Sequence, residues 1–530
     1  MAARSAAPAA GPSPRAAVAD PRRWFVLAVI CCAYLMVGLD LTVMNLALPD
    51  AQKDLGFTDA DRQWIVTAYA LPFGSLLLFC GRLSDLIGRK RAFVVGLAGF
   101  AIASAVGGAA SDFETLVTAR AAQGAFAALL SPACLSLLAT TFTDPKERGK
   151  AFGVFGGVVA AGGGLGLIVG GALTSGLDWR WCMYVNLVFA VAGLIGGMVL
   201  LTRQPRTGAQ MDVPGVVAAS GGMFAVVFGF SNAEDGWSRI STWGFLAVGG
   251  VLLIAFAFWQ TRAAHPLLPP RVVADRNRGG AYLTVLFVGA GFFSLLLFLV
   301  FYMQNILGYS AIVSGCALLP TVVCTILATG VGGTKLVPRF GPRPMIPSGL
   351  LVTALGLAWL TRIDVDSTYA ADLLGPLALI GAGMGLIYSA VLNTGTSGVA
   401  PQDAGVASAC VSAGQQVGGA LGTALLNTIA ATAATGWLDG NVQGRPSLEQ
   451  LNLAAVHSYS TVFWWCAAIL TSGAAVTALL LRSGPLPTPT NTPPANTSPD
   501  NTPPVDASPD KASPDDAVEG PSEQAEAERV

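Results

Sequence analysis

The chain has 530 residues, of which 53% are hydrophobic and only 12% are charged, and its formal net charge is −1. An ordinary soluble domain carries about 25% charged residues, so this composition excludes a water-soluble globule. The near-zero net charge also gives no electrostatic basis for binding nucleic acid. We therefore expect an all-α polytopic protein that lies in a lipid bilayer.

Each predicted span is an apolar run of about 20 residues, the length that crosses the bilayer core at 1.5 Å per residue. Several runs are rich in glycine, which lets membrane helices pack closely. In chain order the runs are residues 24–48, 64–80, 92–110, 113–142, 151–174, 181–201, 213–230, 243–259, 280–307, 312–330, 345–360, 371–393, 404–431 and 461–481. The sequence therefore predicts fourteen transmembrane helices.

The basic residues predict the orientation of these helices. With the N-terminus placed in the cytoplasm, the inside segments hold 21 Lys and Arg residues and the outside segments hold 6. Loops rich in Lys and Arg stay on the cytoplasmic side of a membrane. We therefore expect an even number of spans, with both termini in the cytoplasm.

The two ends of the chain differ from the rest in composition. Residues 1–23 are rich in Ala and Pro, and residues 483–530 contain a ten-residue near-repeat (491–500, then 501–510) followed by acidic residues. Such segments bury too little apolar surface to fold. We expect a disordered N-terminus and a solvated cytoplasmic tail.

A short basic turn follows the second predicted span. The positive charge of this turn alone could set the orientation of the helices in the membrane. A role in orientation does not explain why two glycines and a carboxylate occur at fixed intervals. The glycines would allow close backbone approach, and the carboxylate could bond to arginines or cap a neighbouring helix N-terminus. The motif consists of Gly81, Asp85, Gly88, Arg89, Lys90 and Arg91.

This turn resembles the signature G-x-x-x-D-x-x-G-R-[KR]-[KR] of the major facilitator superfamily. A degraded copy occupies residues 333–343, about 252 residues later. The resemblance implies two six-helix bundles, at 24–201 and 279–482, with two further helices inserted at 213–261. A layout of fourteen helices is similar to the drug:proton antiporters of the EmrB/QacA type.

Two charges lie well inside predicted spans. Asp40 is the only carboxylate there and Arg120 the only base, and both sit about 10–12 Å below the outer surface. A charge at a bilayer centre costs about 2.5–3.5 kcal/mol on insertion scales, so it is usually functional. The alternative is a wet vestibule without coupling. The resemblance favours Asp40 as the proton-coupling acid and Arg120 as the base that tunes it.

Several other residues follow from the resemblance. The family pattern R-x-x-x-G in helix 4 matches Arg120 and Gly124, and a glycine motif in helix 5 supplies close helix packing, although Leu167 replaces its proline. The packing glycines of that motif are Gly166, Gly170 and Gly171. Polar and aromatic residues that could line a substrate cavity are Asn45, Gln123, Tyr302, Gln304, Tyr388, Asn393 and Gln416.

The resemblance implies proton-coupled efflux of a small amphipathic or cationic drug, antibiotic or secondary metabolite across the cell membrane, conferring resistance. It implies a monomer without a cofactor. Proton-coupled import of a nutrient on the same fold is the first alternative. A membrane-embedded enzyme would need a catalytic cluster, and with two histidines in loops and one carboxylate well inside a span the sequence offers none, so we do not expect an enzyme. A sensor would signal through the tail at 483–530.

Overall fold

The computed structural model describes residues 22–142, 144–202, 210–233, 237, 239–400, 403–442, 444–482 and 484. Within these ranges the chain is helical and contains no β-strand. Fourteen of the helices are long and apolar enough to cross a membrane. The predicted all-α polytopic fold with fourteen spans is therefore confirmed.

The spanning helices are numbered here in chain order. The first eight are α1 (Arg23–Leu55), α2 (Asp59–Ile87), α3 (Arg89–Gly108), α4 (Phe113–Thr141), α5 (Pro145–Gly176), α6 (Trp181–Leu200), α7 (Val213–Ala233) and α8 (Ile240–Gln260). The last six are α9 (Arg276–Ile306), α10 (Ala311–Val331), α11 (Pro342–Leu360), α12 (Tyr369–Gly395), α13 (Ala404–Asn441) and α14 (Leu448–Leu480).

Local capping signals fix several helix ends. The side chain of Thr58 accepts the backbone N–H of Asp61, whose carboxylate accepts the Thr58 N–H in return, so α2 begins with a capping box. The side chain of Asp112 accepts the backbone N–H of Thr115 at the start of α4, without a reciprocal bond. Gly88 alone joins α2 to α3 with φ of 93°, a conformation that residues with a Cβ rarely adopt.

Some helices extend beyond the apolar runs that predicted them. Arg23, which the sequence placed in a disordered N-terminus, is the first residue of α1 and pairs with Glu147 of α5. Helix α14 begins at Leu448, 13 residues before the predicted start at 461, because Ser447 and Gln450 form a capping box in polar sequence. Hydropathy finds the part of a helix in lipid, whereas caps decide where it ends. Residues 1–21, and the predicted tail apart from Gly484, lie outside the described residues.

The packing of the first six helices recurs in the last six. In the first set, α4 packs against α2 and α3, α5 against α1, and α6 against α1 and α3. The same five pairings recur among α9 to α14, each with both helix numbers raised by eight. The chain therefore contains two six-helix halves with one packing plan.

The two halves meet most extensively where α2 packs against α13 and α5 against α10, and α5 also contacts α12 while α4 contacts α13. The inserted hairpin of α7 and α8 lies outside this arrangement, with α7 against α2 and more lightly against α13. We call the end that carries Arg89, Lys90 and Arg91 the basic end of the molecule, and the other the opposite end.

Candidate functional site

Asp40 lies in the middle of α1 and is buried, with 1% of its surface exposed. Its Oδ2 atom accepts a hydrogen bond of 2.6 Å from Nη1 of Arg120, which is 2% exposed and lies on α4. The two charges that the sequence placed at one depth are therefore in direct contact. A buried pair of this kind persists only when further hydrogen bonds satisfy its remaining atoms.

Two amide side chains complete the bonding of the Asp40 carboxylate. Asn186 of α6 donates from Nδ2 to Oδ1 at 2.7 Å, and Gln123 donates from Nε2 to the same oxygen at 3.2 Å. Gln123 is held in turn, because its Nε2 also donates to Ser104 Oγ at 2.7 Å and its Oε1 accepts from Arg120. We call Asp40, Arg120, Gln123 and Asn186, with Ser104 behind them, the carboxylate network.

Helix α2 holds the arginine of this network from the other side. Nε of Arg120 donates to the backbone oxygen of Ile65 at 3.5 Å, and its guanidinium lies 4.5 Å from the ring centroid of Tyr69. A cation over an aromatic face is stabilised by the ring quadrupole. The buried hydroxyl of Tyr69 has no hydrogen-bond partner among the described residues. Helix α2 therefore contacts the charged guanidinium of Arg120 directly.

The predicted glycines bring the helices of the network together. A Cβ on Gly124 would overlap the backbone oxygen of Tyr69, so α4 and α2 touch beside Arg120. Gly166 and Gly170 of α5 lie against Thr42 and Val43 of α1, within one turn of Asp40. Gly171 instead contacts Ile312 of α10, in the other half. Small residues at such crossings are what allows close packing in lipid.

The basic-end motif forms a second polar site, at the contact of α2 with α13. Both carboxylate oxygens of Asp85 accept the backbone N–H of Gly405, at 2.9 and 3.1 Å, in the first turn of α13. Arg89 donates to Asp85 at 3.3 Å. Gly81 lies so close to Gly405 and Ala409 that no side chain would fit there. A carboxylate at a helix N-terminus is favoured by the helix dipole.

The remaining bases of the motif act within the first half or face outward. Lys90 donates from Nζ to the backbone oxygens of Met198 and Leu201, at the end of α6. Arg91 is exposed. A second ionic contact joins the halves nearby, where Asp403 meets Arg82 at 3.8 Å and Arg271 at 2.7 Å.

The profile of the Major Facilitator Superfamily matches residues 30–423 of the chain. That range contains the carboxylate network and the basic-end motif. The chain belongs to the major facilitator superfamily. Its fourteen helices agree with the drug antiporter type that its motifs resemble.

Curated relatives in the superfamily cover most of the chain. The puromycin resistance protein of Streptomyces alboniger is 45% identical over 469 residues, which is 88% of this chain and 92% of that protein. The cephamycin export protein of Amycolatopsis lactamdurans is 36% identical over 419 residues, 77% of this chain and 85% of that protein. Both are similar over nearly their whole length.

A solved structure supports the same fold. The human organic anion transporter MFSD10 superposes with a TM-score of 0.61 at 14% identity, over 86% of this chain and all of that one. At that identity the likeness concerns the fold alone. The superfamily architecture therefore rests on both sequence and shape.

The structure does not bring all of the predicted cavity residues to one place. Tyr302 is buried at the opposite end of α9, where its hydroxyl donates to the backbone oxygen of Asp364 and its ring contacts Tyr459. Gln304 follows it in a π-helical turn and is partly exposed. These contacts lie within the second half, outside the carboxylate network.

Other predicted cavity residues lie on α12 and α13. The hydroxyl of Tyr388 accepts a hydrogen bond from Gln415 at 3.3 Å, and Gln416 beside it is partly exposed. Asn393 is buried near the end of α12. The side chain of Asn45 lies outside the described residues. Among the predicted cavity residues whose side chains the structure describes, only Gln123 hydrogen-bonds to Asp40.

Sequence reasoning missed three members of the site. Asn186 is absent from the predicted site residues, although its hydrogen bond to Asp40 is shorter than that of Gln123. Ser104 and Tyr69 were not singled out, because isolated Ser and Tyr residues are common in apolar helices. The available signal was the polarity of Asn186 in an otherwise apolar run. Buried amides in membrane helices usually bond across helices.

The carboxylate network can act as a proton-sensitive link between helices. All three hydrogen bonds to Asp40 come from N–H donors on α4 and α6, so the carboxylate is the acceptor that joins these two helices to α1. A proton on Asp40 would cancel the ion pair and leave Arg120 as an uncompensated charge. The contacts of α1 with α4 and α6 would then weaken together.

Proposed function

We propose that this protein exports a small amphipathic drug, antibiotic or secondary metabolite, that entry of protons drives the export, and that export confers resistance. The observation that carries the proposal is the buried Asp40 carboxylate, held by Arg120, Gln123 and Asn186 on two other helices. The export and resistance activities named for the two relatives support the outward direction.

The proposed cycle alternates access to a cavity between the two halves. Protonation of Asp40 from the opposite end would break the ion pair and favour release of cargo there. Loss of the proton at the basic end would restore the pair and reset the transporter. The cycle needs neither a cofactor nor catalytic chemistry, and one chain suffices for it.

We also propose that the basic end faces the cytoplasm, with both termini on that side of the cell membrane. The excess of Lys and Arg in the loops at this end supports the assignment. Protons then enter at the opposite end, down their gradient.

The substitution Asp40→Asn tests the proposal, because it keeps the shape and removes the charge. Charged hydrogen bonds contribute about 1.5–3 kcal/mol, so we expect energised export to fall by about tenfold to a hundredfold. Puromycin resistance of a susceptible strain and efflux from energised cells, with and without an uncoupler, measure this.

Asp54→Asn is the matched control on the same helix. Asp54 is partly exposed at the opposite end and pairs with Arg180, so its loss should leave export near the wild-type level. Full proton-driven export by Asp40→Asn, or wild-type efflux insensitive to the uncoupler, would refute the coupling. Accumulation of the drug in expressing cells would favour import instead.

A further inference from the structure

A group of uncharged polar side chains joins the two halves at a place that the carboxylate network does not include. Ser131 Oγ of α4 lies 3.1 Å from Ser412 Oγ of α13, and both residues are buried. One turn further along α13, Gln415 donates to the hydroxyl of Tyr388 on α12 at 3.3 Å. We call Ser131, Tyr388, Ser412 and Gln415 the interface cluster.

Aromatic and small side chains adjoin this cluster. The ring of Tyr34 on α1 lies 4.7 Å from that of Phe155 on α5. The next residue, Gly156, is in contact with the side chain of Tyr388 across the halves. Tyr34 and Gln415 are partly exposed although they lie inside the bundle. The cluster therefore offers aromatic faces and hydrogen-bonding groups to a molecule between the halves.

Around the interface cluster, the charged side chains of the spanning segments are either paired with an opposite charge or absent. In the first half, Asp40 and Arg120 neutralise each other. In the second half, long stretches contain no Asp, Glu, Lys or Arg, namely residues 279–334, 344–361, 373–400, 404–438 and 450–481. The interface cluster therefore contains no carboxylate, and these stretches of the second half supply none to attract a cation.

The single carboxylate of the first half is also unavailable to cargo. Asp40 already accepts three hydrogen bonds and is 1% exposed, so a bound cation would have to displace Arg120. When Asp40 takes up a proton, Arg120 stays charged and the site carries a net positive charge. The ionised network therefore offers a cation no net attraction, and the protonated network repels it.

A further positively charged side chain lies between the halves at the basic end. Arg148 of α5 donates from Nη2 to Thr396 Oγ1 at the end of α12, at 2.8 Å. No carboxylate in the part of the chain that the structure describes lies within ion-pair distance of Arg148, and its Nε has no partner there. A cation entering from this end would be repelled.

We propose that the cargo bound at the interface cluster is an uncharged aromatic amphipathic molecule, and that lipophilic cations are excluded. This inference rests on the proposed export function and narrows its substrate class. Hydrogen bonds from Gln415 and the serine hydroxyls would orient the polar groups of such a cargo, and Tyr34 and Tyr388 would cover its aromatic face.

Uncharged cargo makes the exchange electrogenic. One proton entering while a neutral molecule leaves moves one positive charge inward, so the membrane potential drives the exchange as well as the pH gradient. For one charge, 100 mV corresponds to about a fiftyfold concentration ratio. Export of a monovalent cation for one proton would gain nothing from the potential.

A matched pair of fluorescent compounds tests the proposal. Doxorubicin carries one amino group that is positively charged at neutral pH, and N-acetyldoxorubicin has the same aromatic scaffold without that charge. In proteoliposomes with an imposed pH gradient we expect N-acetyldoxorubicin to move at least tenfold faster. A potassium diffusion potential of 100 mV should accelerate it further. Protein-free liposomes and Asp40→Asn correct for passive leak.

Equal or faster transport of doxorubicin would overturn the charge selection. Transport of neither compound would overturn the assignment of aromatic cargo. Puromycin efflux from the same proteoliposomes keeps the proposed function separate from these results. If puromycin is exported against its gradient while the doxorubicin pair gives either of these contrary results, the proposed export function stands and only the inference about uncharged cargo fails.

A charge placed in the interface cluster gives an independent test. Gln415→Glu adds a carboxylate beside Tyr388, and we expect the ratio of doxorubicin to N-acetyldoxorubicin transport at pH 8 to rise at least tenfold. Gln415→Met is the matched control, because it removes the bond to Tyr388 without adding charge and should leave the ratio unchanged. If Gln415→Glu does not assemble, Ser412→Asp replaces it. An unchanged ratio in an active carboxylate variant would refute the proposal.

Discussion

Two of the contacts between the halves at the basic end use different chemistry for the same close approach. Where α2 meets α13, Gly81 lies against Gly405 and the Asp85 carboxylate accepts the Gly405 N–H. Where α5 meets the π-helical turn that follows α10 (Gly332–Leu336), Gly149 lies against Gly333, and a Cβ on either glycine would overlap the carbonyl oxygen of the other. We call these contacts the charged seam and the glycine seam.

The difference between the seams follows the internal repeat. Gly333 corresponds to Gly81 at a spacing of 252 residues, and Val337 then takes the place of Asp85. Val337 is buried, whereas Asp85 bonds to a helix terminus. The second copy has therefore kept the close packing and lost the charge. One seam can respond to electrostatics, and the other depends on backbone shape alone.

The largest effect is expected from Gly149→Ala in the glycine seam. Alanine stabilises a helix by about 1 kcal/mol relative to glycine, so the substitution does not weaken α5 itself. We therefore attribute an expected loss of function to the blocked approach to Gly333. Backbone cannot move aside as a side chain can, and overpacking costs about 1–3 kcal/mol, so we expect transport to fall about tenfold or more.

Initial rates of puromycin efflux, normalised to the amount of folded protein, measure this loss. Gly176→Ala is the matched control in the same helix, because a Cβ there meets nothing within 4 Å. Wild-type rates for Gly149→Ala would show that the halves need not close at this seam.

A smaller effect is expected from Asp85→Asn in the charged seam. Asparagine can still accept the Gly405 N–H, but as a neutral acceptor, which weakens the contact by about 1 kcal/mol, or about fivefold in the closed population. Hydrogen–deuterium exchange of residues 404–409 should become faster, and transport should fall severalfold. Unchanged exchange in this segment would contradict an electrostatic role for Asp85.

The smallest effect is expected from Arg271→Gln, at the edge of the charged seam. Its side chain is 68% exposed and pairs with Asp403 at 2.7 Å. Salt screens a guanidinium that lies largely in solvent, and the buried Asp403 keeps its contact with Arg82 at 3.8 Å when Arg271 is replaced. Exchange at the start of α13 should therefore rise less than in Asp85→Asn, and the difference should vanish at high salt. An effect larger than that of Asp85→Asn would reverse the ranking.

Much of the fold could be predicted from local sequence. Apolar runs gave the fourteen spans, and the Thr58 and Ser447 caps mark where polar helix ends begin. Helix ends were less predictable, since hydropathy stops at the bilayer core while α13 and α14 continue past it. The motif at residues 81–91 identified a contact at a helix N-terminus, but its partner Gly405 lies 320 residues away.

By itself, the sequence determined that this is a fourteen-span membrane protein with one acid and one base well inside the predicted spans, at a common depth. These features follow from composition and spacing, because lipid penalises every charge that is not used. Only the tertiary structure decided that Asn186 and Gln123 share Asp40 with Arg120, and that the seams differ. Those contacts depend on the rotation of each helix about its own axis and on which glycines face a neighbour, and neither is encoded in any local stretch of sequence.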